Sequence, residues 1–157
     1  MKSTEWKAYV SWIFLAEAVG AVSGWLTRDG MELYMETIRQ PPLSPPGFVF
    51  PVVWVILYAL MGTGAARIYL APPSEERSRS LQIFLAQLAF NFFWSIIFFN
   101  MQRFGFALLW LAVLWLMILW MIRSFGKVDS LAAKLQVPYL LWVMFAVYLN
   151  AGVWLLN

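Results

Sequence analysis

The sequence contains no cysteine and no histidine, and each absence excludes a class of chemistry. Without cysteine the chain forms no disulfide and offers no thiolate as nucleophile or metal ligand. Without histidine it lacks the commonest metal ligand and the commonest general acid or base. It also shows no serine–histidine pairing and no glycine-rich phosphate loop. No metal site is therefore expected, and no cofactor is expected to be required.

Charged residues are also scarce, and this scarcity defines the class of protein. Only 12% of the 157 residues are charged, whereas 62% are hydrophobic. A soluble domain carries about 25% charged residues, so this composition does not supply a water-facing surface. We therefore predict an integral membrane protein. The net charge of +3 then reflects membrane topology, and no nucleic-acid partner is expected.

Five apolar runs are each long enough to cross a bilayer core of about 30 Å, which takes about 20 helical residues. Most of the polar connections between them are short, so consecutive helices should pack antiparallel. We predict an all-α membrane protein in which residues 1–157 form a single domain, a five-transmembrane-helix bundle. The predicted helices span residues 8–27, 47–70, 81–101, 104–123 and 135–156.

Lysine and arginine are unevenly distributed between the two ends of the predicted bundle. Eight of the eleven basic residues lie at the end that carries the N-terminus. Short loops on the cytoplasmic side are enriched in basic residues, so we predict a cytoplasmic N-terminus in a bacterial inner membrane. The eight are Lys2, Lys7, Arg67, Arg77, Arg79, Arg123, Lys127 and Lys134, and the others are Arg28, Arg39 and Arg103.

The long first connection, residues 28–46, ends in a proline-rich stretch. Four prolines lie between Pro41 and Pro46, and proline fixes φ and lacks a backbone N–H. This stretch is therefore not helix interior, although a short helical turn is expected before it at residues 31–37. Long loops are more often lids or binding elements than spacers, so we predict a lid over a pocket.

Three of the predicted helices carry a tryptophan on one face, at three- and four-residue steps from hydrogen-bonding or small residues. Amides in hydrocarbon need partners, so Gln87, Asn91 and Asn150 should point into the bundle, and the tryptophans should follow them. Two interpretations stay open: an aromatic-walled cavity, or interhelical packing joined by hydrogen bonds. The faces are Pro51, Trp54, Tyr58 and Gly62; Gln87, Asn91, Trp94 and Phe98; and Pro138, Trp142, Ala146 and Asn150.

Glu17 lies near the middle of the first predicted helix, and an intramembrane carboxylate indicates a functional role by default. The alternative is a protonated glutamic acid bonded to a backbone carbonyl or an asparagine. On the same helix Gly20 and Gly24 permit close helix approach. Steps of five residues spiral around a helix, so lipid-facing or interfacial-belt positions are predicted for Trp110, Trp115 and Trp120. Belt positions near helix ends are predicted for Trp6, Trp12 and Trp154.

Three segments form a specific pattern in this order: PPLSPPGFVFPVVWVILYALMG at residues 41–62, NFFWSIIFF at residues 91–99 and PYLLWVMFAVYLNAGVWLLN at residues 138–157. They resemble the translocator protein / tryptophan-rich sensory protein family, once called the peripheral benzodiazepine receptor family. The resemblance covers nearly the whole chain. It implies a five-helix bundle, usually a homodimer, that binds porphyrins such as protoporphyrin IX in a pocket under the first loop.

The resemblance also implies which residues bind the ligand. The pocket walls would be Trp54, Tyr58, Asn91, Trp94, Trp142, Phe145, Ala146 and Asn150, with Pro45 and Pro46 in the lid. Some bacterial members are reported to promote light-dependent breakdown of the porphyrin, and the catalytic candidates here are Trp54 and Trp142. The family often has a tryptophan where this chain has Leu43 and Phe106, so an indole is missing from the lid.

The leading hypothesis is a membrane receptor or sensor that binds a porphyrin ligand. Stacking on indoles and burial of a flat apolar ring would supply the affinity, and Arg28 or Arg39 would pair with the propionates. The alternatives are a light-dependent porphyrin-degrading enzyme and a tetrapyrrole or sterol transporter. The expected partners are the porphyrin, the lipid bilayer and a second copy of the chain.

Overall fold

Seven α-helices and one π-helical segment make up most of residues 3–157, the part of the chain that the computed structural model describes. Five of these helical stretches are long and apolar enough to cross a membrane. The predicted all-α, five-transmembrane-helix fold is therefore confirmed. The elements are α1 (Ser3–Leu26), α2 (Arg28–Thr37), α3 (Val49–Tyr69), α4 (Glu75–Ser95), the π-helical segment (Ile96–Asn100), α5 (Phe104–Gly126), α6 (Ser130–Lys134) and α7 (Val137–Leu156).

Three helices, α1, α4 and α5, begin or end outside the apolar runs that predicted them, whereas α3 and α7 lie within theirs. The start of α4 shows how a helix can exceed its apolar run. It begins at Glu75, whereas the apolar run begins at residue 81. The Ser74 hydroxyl accepts a hydrogen bond from the Arg77 backbone N–H at 3.1 Å and so caps the helix. Acidic residues in the first turn also interact favourably with the helix dipole. Hydropathy marks only the part of a helix that lies in the membrane core, so it misses such polar first turns.

The five spanning helices form a closed ring. Going round it, α3 contacts α1, α1 contacts α4, α4 contacts α5, α5 contacts α7, and α7 returns to α3. In addition, α3 contacts α4 across the ring. The main core fills this ring with large, fully buried side chains that include Met61, Phe84, Leu111, Phe125 and Tyr139.

Glycine determines how closely α1 and α3 pack. A Cβ added to Gly62 would lie 2.4 Å from Cα and 2.7 Å from the backbone nitrogen of Ile13, so the two helix backbones are almost in contact there. Gly20 lies against the ring of Tyr58, where a Cβ would be 2.3 Å from a ring carbon. At Gly24, by contrast, no atom lies within 4 Å of the added Cβ. The close packing therefore ends before Gly24, and the space beside α1 is open there.

α2 covers one end of the bundle and is longer than the predicted turn at residues 31–37. It is anchored by Tyr34, which is buried, with its ring centroid 5.4 Å from that of Phe98 and 5.3 Å from that of Phe99. The backbone of α2 also lies close to the π-helical segment, because a Cβ at Gly30 would be 2.7 Å from the carbonyl oxygen of Phe99. Together these contacts form a second, smaller core.

The proline-rich stretch after α2 is bound to the last turns of α7. The Asn157 side chain donates to the Arg39 carbonyl oxygen at 2.8 Å and accepts from the Arg39 N–H at 3.1 Å. The Tyr148 hydroxyl donates to the Pro42 carbonyl oxygen at 2.6 Å. Pro41 lies directly over Gly152, where a Cβ would be only 2.5 Å away. The loop is therefore held down by the end of the chain as well as by α2.

Several tryptophans that were predicted to face lipid or the interfacial belt lie partly inside the bundle. The Trp110 indole stacks on Phe90 with centroids 4.2 Å apart and donates to the Phe90 carbonyl oxygen at 2.8 Å, so its prediction is wrong. Trp12 packs edge-on against Phe84, and Trp115 is half-buried against the same core. The five-residue spacing of the α5 tryptophans showed that they do not share a face, but it did not show which residues of other helices each one contacts. The exposed ones are Trp6, Trp120 and Trp154.

An ion pair joins the end of α3 to the connection between α5 and α6. Arg67 donates from Nε to Oδ2 of Asp129 at 2.6 Å and from Nη2 to Oδ1 at 3.3 Å. The same carboxylate caps α6 by accepting from the Ala132 N–H at 3.0 Å. The hydrogen bond from Arg67 holds the pKa of the Asp129 carboxyl below its ordinary value.

We expect Gly62→Ala to lower the stability of the bundle by about 1–3 kcal/mol, because the new methyl group overlaps the α1 backbone. The matched control is Gly24→Ala, which adds the same atom in open space and improves helix propensity by about 1 kcal/mol. Thermal unfolding in detergent, followed by circular dichroism, measures both. Equal melting temperatures for the two variants would contradict the close α1–α3 packing.

We expect Asp129→Asn to destabilise the fold by about 0.5–1 kcal/mol, since it removes the ion pair with Arg67 while its amide oxygen still caps α6. The folded pKa of Asp129 is lowered, so its contribution is complete above the unfolded value of about 3.9 and is lost as the pH falls below it. Melting temperatures of the wild type and the variant should therefore differ at pH 7 and converge at acidic pH. A difference that is independent of pH would contradict this role.

Candidate ligand cavity

A cavity of about 650 Å³ lies among α1, α2, α3, α4, the π-helical segment and α7. Small-molecule sites in proteins usually measure about 300–1,000 Å³ and have mostly apolar walls with a few polar groups. The walls here follow that description, because aromatic rings dominate them. The aromatic residues on the wall are Tyr34, Phe50, Trp54, Tyr58, Trp94, Phe98, Phe99 and Trp142.

The α3 wall is built from one face of the helix that follows the proline-rich loop. Phe50, Pro51, Trp54 and Tyr58 recur at steps of one, three and four residues, which brings them to the same side. The rings of Trp54 and Tyr58 lie 5.5 Å apart and are inclined by 31°. This face is the one that the sequence predicted, and it gives the cavity a broad aromatic side.

The α7 wall consists of Trp142, Ala146, Leu149 and Asn150. The small Ala146 side chain leaves room beside the Trp142 indole. Across the cavity mouth Trp142 meets α3 through Phe50, with ring centroids 6.1 Å apart. The aromatic surfaces of α3 and α7 are therefore in contact at this point.

The α4 wall depends on the π-helical segment. Trp94 and Ser95 in the last turn of α4 line the cavity, together with Phe98 and Phe99 of the π-helical segment, which follow them at four-residue steps. The Trp94 ring stacks on Phe98 at 5.0 Å, which fixes the plane that the indole presents. The sequence pattern gave no sign of this irregularity.

Asn150 fixes the Trp94 indole from the opposite helix. Its Oδ1 accepts from Trp94 Nε1 at 3.1 Å, while its Nδ2 donates to the Phe104 carbonyl oxygen at 2.8 Å. One buried amide thus joins α4, α5 and α7. Because a buried indole N–H needs an acceptor, Asn150 determines the orientation of this part of the wall.

A chain of hydrogen bonds lies behind the α3 wall and joins α3, α4 and α7. The Tyr58 hydroxyl donates to Asn91 Oδ1 at 2.7 Å, Asn91 Nδ2 donates to the Tyr139 hydroxyl at 2.8 Å, and that hydroxyl donates to Gln87 Oε1 at 2.6 Å. All of these residues are buried. The chain pairs the Tyr58 and Tyr139 hydroxyls, the Asn91 amide and Gln87 Oε1, whereas Gln87 Nε2 has no partner among the described residues. These bonds hold the Tyr58 ring at the cavity wall.

The α1 wall is made of Glu17 and the small residues Gly20, Ala21 and Gly24. The sequence drew attention to Glu17 and to the two glycines separately, but it did not connect them with the pocket. Their spacing of three, four and seven residues was the available signal, because it places all four on one face of α1.

Arg28 provides positive charge at the α2 end of the wall. Its guanidinium lies 4.5 Å from the centroid of the exposed Trp25 ring, and Nη1 donates to the Trp25 carbonyl oxygen at 2.5 Å. Arg39 does not line the cavity, and its backbone is instead bonded to Asn157. Of the two arginines predicted to meet an acidic ligand, only Arg28 is in position.

Most of the predicted binding residues line the cavity, whereas others lie behind its walls or outside it. Phe145 packs behind Trp142 with centroids 5.5 Å apart, and Asn91 is occupied by the hydrogen-bonded chain described above. Ligand binding by the residues on the wall stays a prediction. Those residues are Trp54, Tyr58, Trp94, Trp142, Ala146 and Asn150.

The cover of the cavity differs from the predicted proline lid. Pro45 and Pro46 are absent from the wall, whereas Met31, Tyr34 and Gly47 belong to it. The prolines fix the path of the loop, but α2 supplies the side chains, because its amphipathic face turns inward. Burial raises the pKa of Tyr34 to about 12, so the hydroxyl stays neutral at physiological pH.

Leu43, which stands where the family often has a tryptophan, lies at the tip of the loop. Its side chain is 82% exposed and its backbone is in the left-handed region at φ 70°. A non-glycine residue is uncommon in that region. Leu43 follows Pro42, and the next residue, Ser44, closes the turn by donating from its hydroxyl to the Pro41 carbonyl oxygen at 2.7 Å. Leu43 does not belong to the cavity wall.

The fold and the cavity together define an integral membrane protein with an aromatic chamber lined by four of its five spanning helices and by α2. Residues 12–155 match the TspO/MBR family, and the chain belongs to that family. The resemblance seen in the sequence is thereby confirmed.

Relatives of this chain include bacterial and animal proteins. It is 36% identical to the "Tryptophan-rich protein TspO" of Chlorobaculum tepidum over 92% of either chain. It is 33% identical to the "Tryptophan-rich sensory protein" of Cereibacter sphaeroides over 98% of this chain and 93% of that one. It is 32% identical to the "Translocator protein" of Homo sapiens over 89% of this chain and 85% of that one.

We expect Tyr139→Phe to destabilise the bundle by about 1–3 kcal/mol, because Asn91 and Gln87 each lose a buried partner. The matched control is Tyr69→Phe, which removes the hydroxyl of a partly exposed ring at the end of α3. Chemical denaturation in detergent, monitored by tryptophan fluorescence, compares the two. The role of the chain is contradicted if both variants unfold at the denaturant concentration of the wild type.

Proposed function

We propose that this protein is a membrane receptor or sensor that binds porphyrin-like tetrapyrroles such as protoporphyrin IX. The observation that supports this most directly is the set of indole faces from three different helices, Trp54, Trp94 and Trp142, around one cavity. A flat apolar ring gains affinity by stacking on indoles and by leaving water or lipid for a shaped cavity. The cavity volume of about 650 Å³ is in the range that a ligand of this size needs.

The charge distribution of the cavity suggests how such a ligand is oriented. Protoporphyrin IX has two propionates on one edge and an apolar opposite edge. In the proposed orientation the propionates lie at the α2 end, where Arg28 provides a cation, and the apolar edge lies between Trp54 and Trp142. Arg39 has no part in this arrangement because it lies off the cavity wall.

The names of the relatives describe a sensory protein and a translocator, and neither name specifies a ligand. The proposal includes a cytoplasmic N-terminus in a bacterial inner membrane, supported by the excess of basic residues at that end of the bundle. The α2 end of the cavity then faces away from the cytoplasm. A homodimer, which the family resemblance implies, is also part of the proposal.

We expect Trp54→Phe and Trp142→Phe each to weaken protoporphyrin IX binding by about 2- to 10-fold, since phenyl rings offer a smaller stacking surface. The dissociation constant is measured from the shift of the porphyrin absorption band and from quenching of the remaining tryptophans. Trp120→Phe is the matched control, because this exposed indole on α5 lies off the cavity wall. The proposal would be contradicted if both wall variants bound protoporphyrin IX with the dissociation constant of the wild type.

A second candidate function is light-dependent degradation of the porphyrin. It is favoured by one observation: both tryptophans considered as catalytic candidates, Trp54 and Trp142, line the cavity and would contact a bound ring. Illumination of the complex distinguishes the two functions. A new, stable product band that disappears in Trp142→Phe supports degradation. Bleaching at the rate of free porphyrin supports binding alone.

A further inference from the structure

Glu17 is the only acid among the described residues that line the cavity. It belongs to the membrane-spanning part of α1, Thr4–Leu26, and is half-buried. Neither of the two side-chain ion pairs found in residues 3–157 includes it. A carboxyl group at this depth is costly when ionised. A ligand that stabilises the ionised form of Glu17 therefore has an advantage in this cavity over one that does not.

The space beside Glu17 is kept open by small residues. Gly20, Ala21 and Gly24 follow on the same face of α1, and nothing lies within 4 Å of a Cβ placed at Gly24. Gly20 contacts the Tyr58 ring, and Trp54 lies one turn before Tyr58 on α3. The carboxyl group is therefore part of the same chamber as these aromatic faces.

The cation on the wall is too far away to neutralise Glu17. The Arg28 guanidinium is engaged with Trp25, which is eight positions beyond Glu17 on α1, about 12 Å at the helical rise of 1.5 Å per residue. The cavity therefore has a cation at one end, Arg28 beside α2, and an ionisable carboxyl group, Glu17, deeper in the bundle.

We propose that Glu17 and the faces of Trp54 and Tyr58 form a subsite for a protonated amine, so that the cavity selects lipophilic amines over neutral molecules of the same shape. An organic cation is attracted to aromatic ring faces. A carboxylate in a medium of low dielectric constant forms a strong, charge-assisted hydrogen bond with it. The ligand's positive charge also offsets the cost of ionising Glu17 in the membrane, which a neutral ligand does not do.

This subsite is separate from the proposed porphyrin orientation, in which the anionic propionates lie at the Arg28 end. It concerns the same cavity but does not depend on the identity of the ring system that fills it. Porphyrin binding and amine selection can therefore each fail while the other holds.

The test uses two probes that differ only in charge: 1-(dimethylaminomethyl)naphthalene, which is protonated at pH 7, and its neutral carbon isostere 1-(2-methylpropyl)naphthalene. Both are titrated by tryptophan quenching against the full chain in nanodiscs of zwitterionic lipid. We expect the wild type to bind the amine at least about tenfold more tightly than the isostere. In Glu17→Gln this preference should disappear while the affinity for the isostere is unchanged.

Two control variants complete the experiment. Glu32→Gln removes the same charge from the exposed side of α2 and should keep the full preference. Glu17→Asp keeps the carboxyl group on a shorter side chain and should retain part of the preference for the amine. Partitioning of each probe into lipid is measured in nanodiscs without protein and is used to correct its dissociation constant, because the neutral isostere enters the lipid more readily than the amine. The inference is overturned if the wild type shows no corrected preference, if Glu17→Gln retains it, or if Glu32→Gln loses it as well.

Discussion

Water is absent from the core of a bilayer, so a polar group that this chain carries into the membrane is costly unless it has a partner inside the protein. Tyr58, Asn91, Tyr139 and Gln87 form a chain of buried hydrogen bonds that ties α3, α4 and α7 together. Asn150 accepts a hydrogen bond from the Trp94 indole N–H and donates one to the Phe104 carbonyl oxygen, so it ties α7 to α4 and α5. Each of these hydrogen-bonded groups holds an aromatic side chain, Tyr58 or Trp94, at the surface of the cavity. The same constraint that stabilises the fold therefore shapes the site.

The cavity exists because close packing stops part of the way along α1. At Gly62 the α3 backbone contacts the α1 backbone at Ile13, and at Gly20 the α1 backbone contacts the Tyr58 ring of α3. Gly24, one turn further along α1, faces open space among the described residues. On the opposite wall the π-helical segment, Ile96–Asn100, contributes Phe98 and Phe99 to the cavity lining. The cavity therefore lies between the small residues of α1 and these aromatic rings.

Much of this arrangement could be predicted from residue types and spacing. Five apolar runs predicted the five spanning helices, and the four-residue steps from Trp54 to Tyr58 and from Trp142 to Ala146 predicted residues that line the cavity on α3 and α7. The prediction for Asn91 was correct about burial but not about position, because an amide that needs partners can point at tyrosines as well as at a cavity. Glu17 was noticed for its charge, yet nothing local showed which helix it faces.

By itself the sequence determined the class of protein and the inward faces, because hydrophobicity fixes which segments enter the membrane and helical periodicity fixes which side chains share a side. The tertiary structure alone decided what those faces enclose. Pro45 and Pro46 rigidify the loop, but α2 covers the cavity, and Trp110 meets Phe90 instead of lipid. These outcomes depend on distances between residues far apart in the chain. Periodicity within one helix carries no information about them, and only the packing of all five helices sets them.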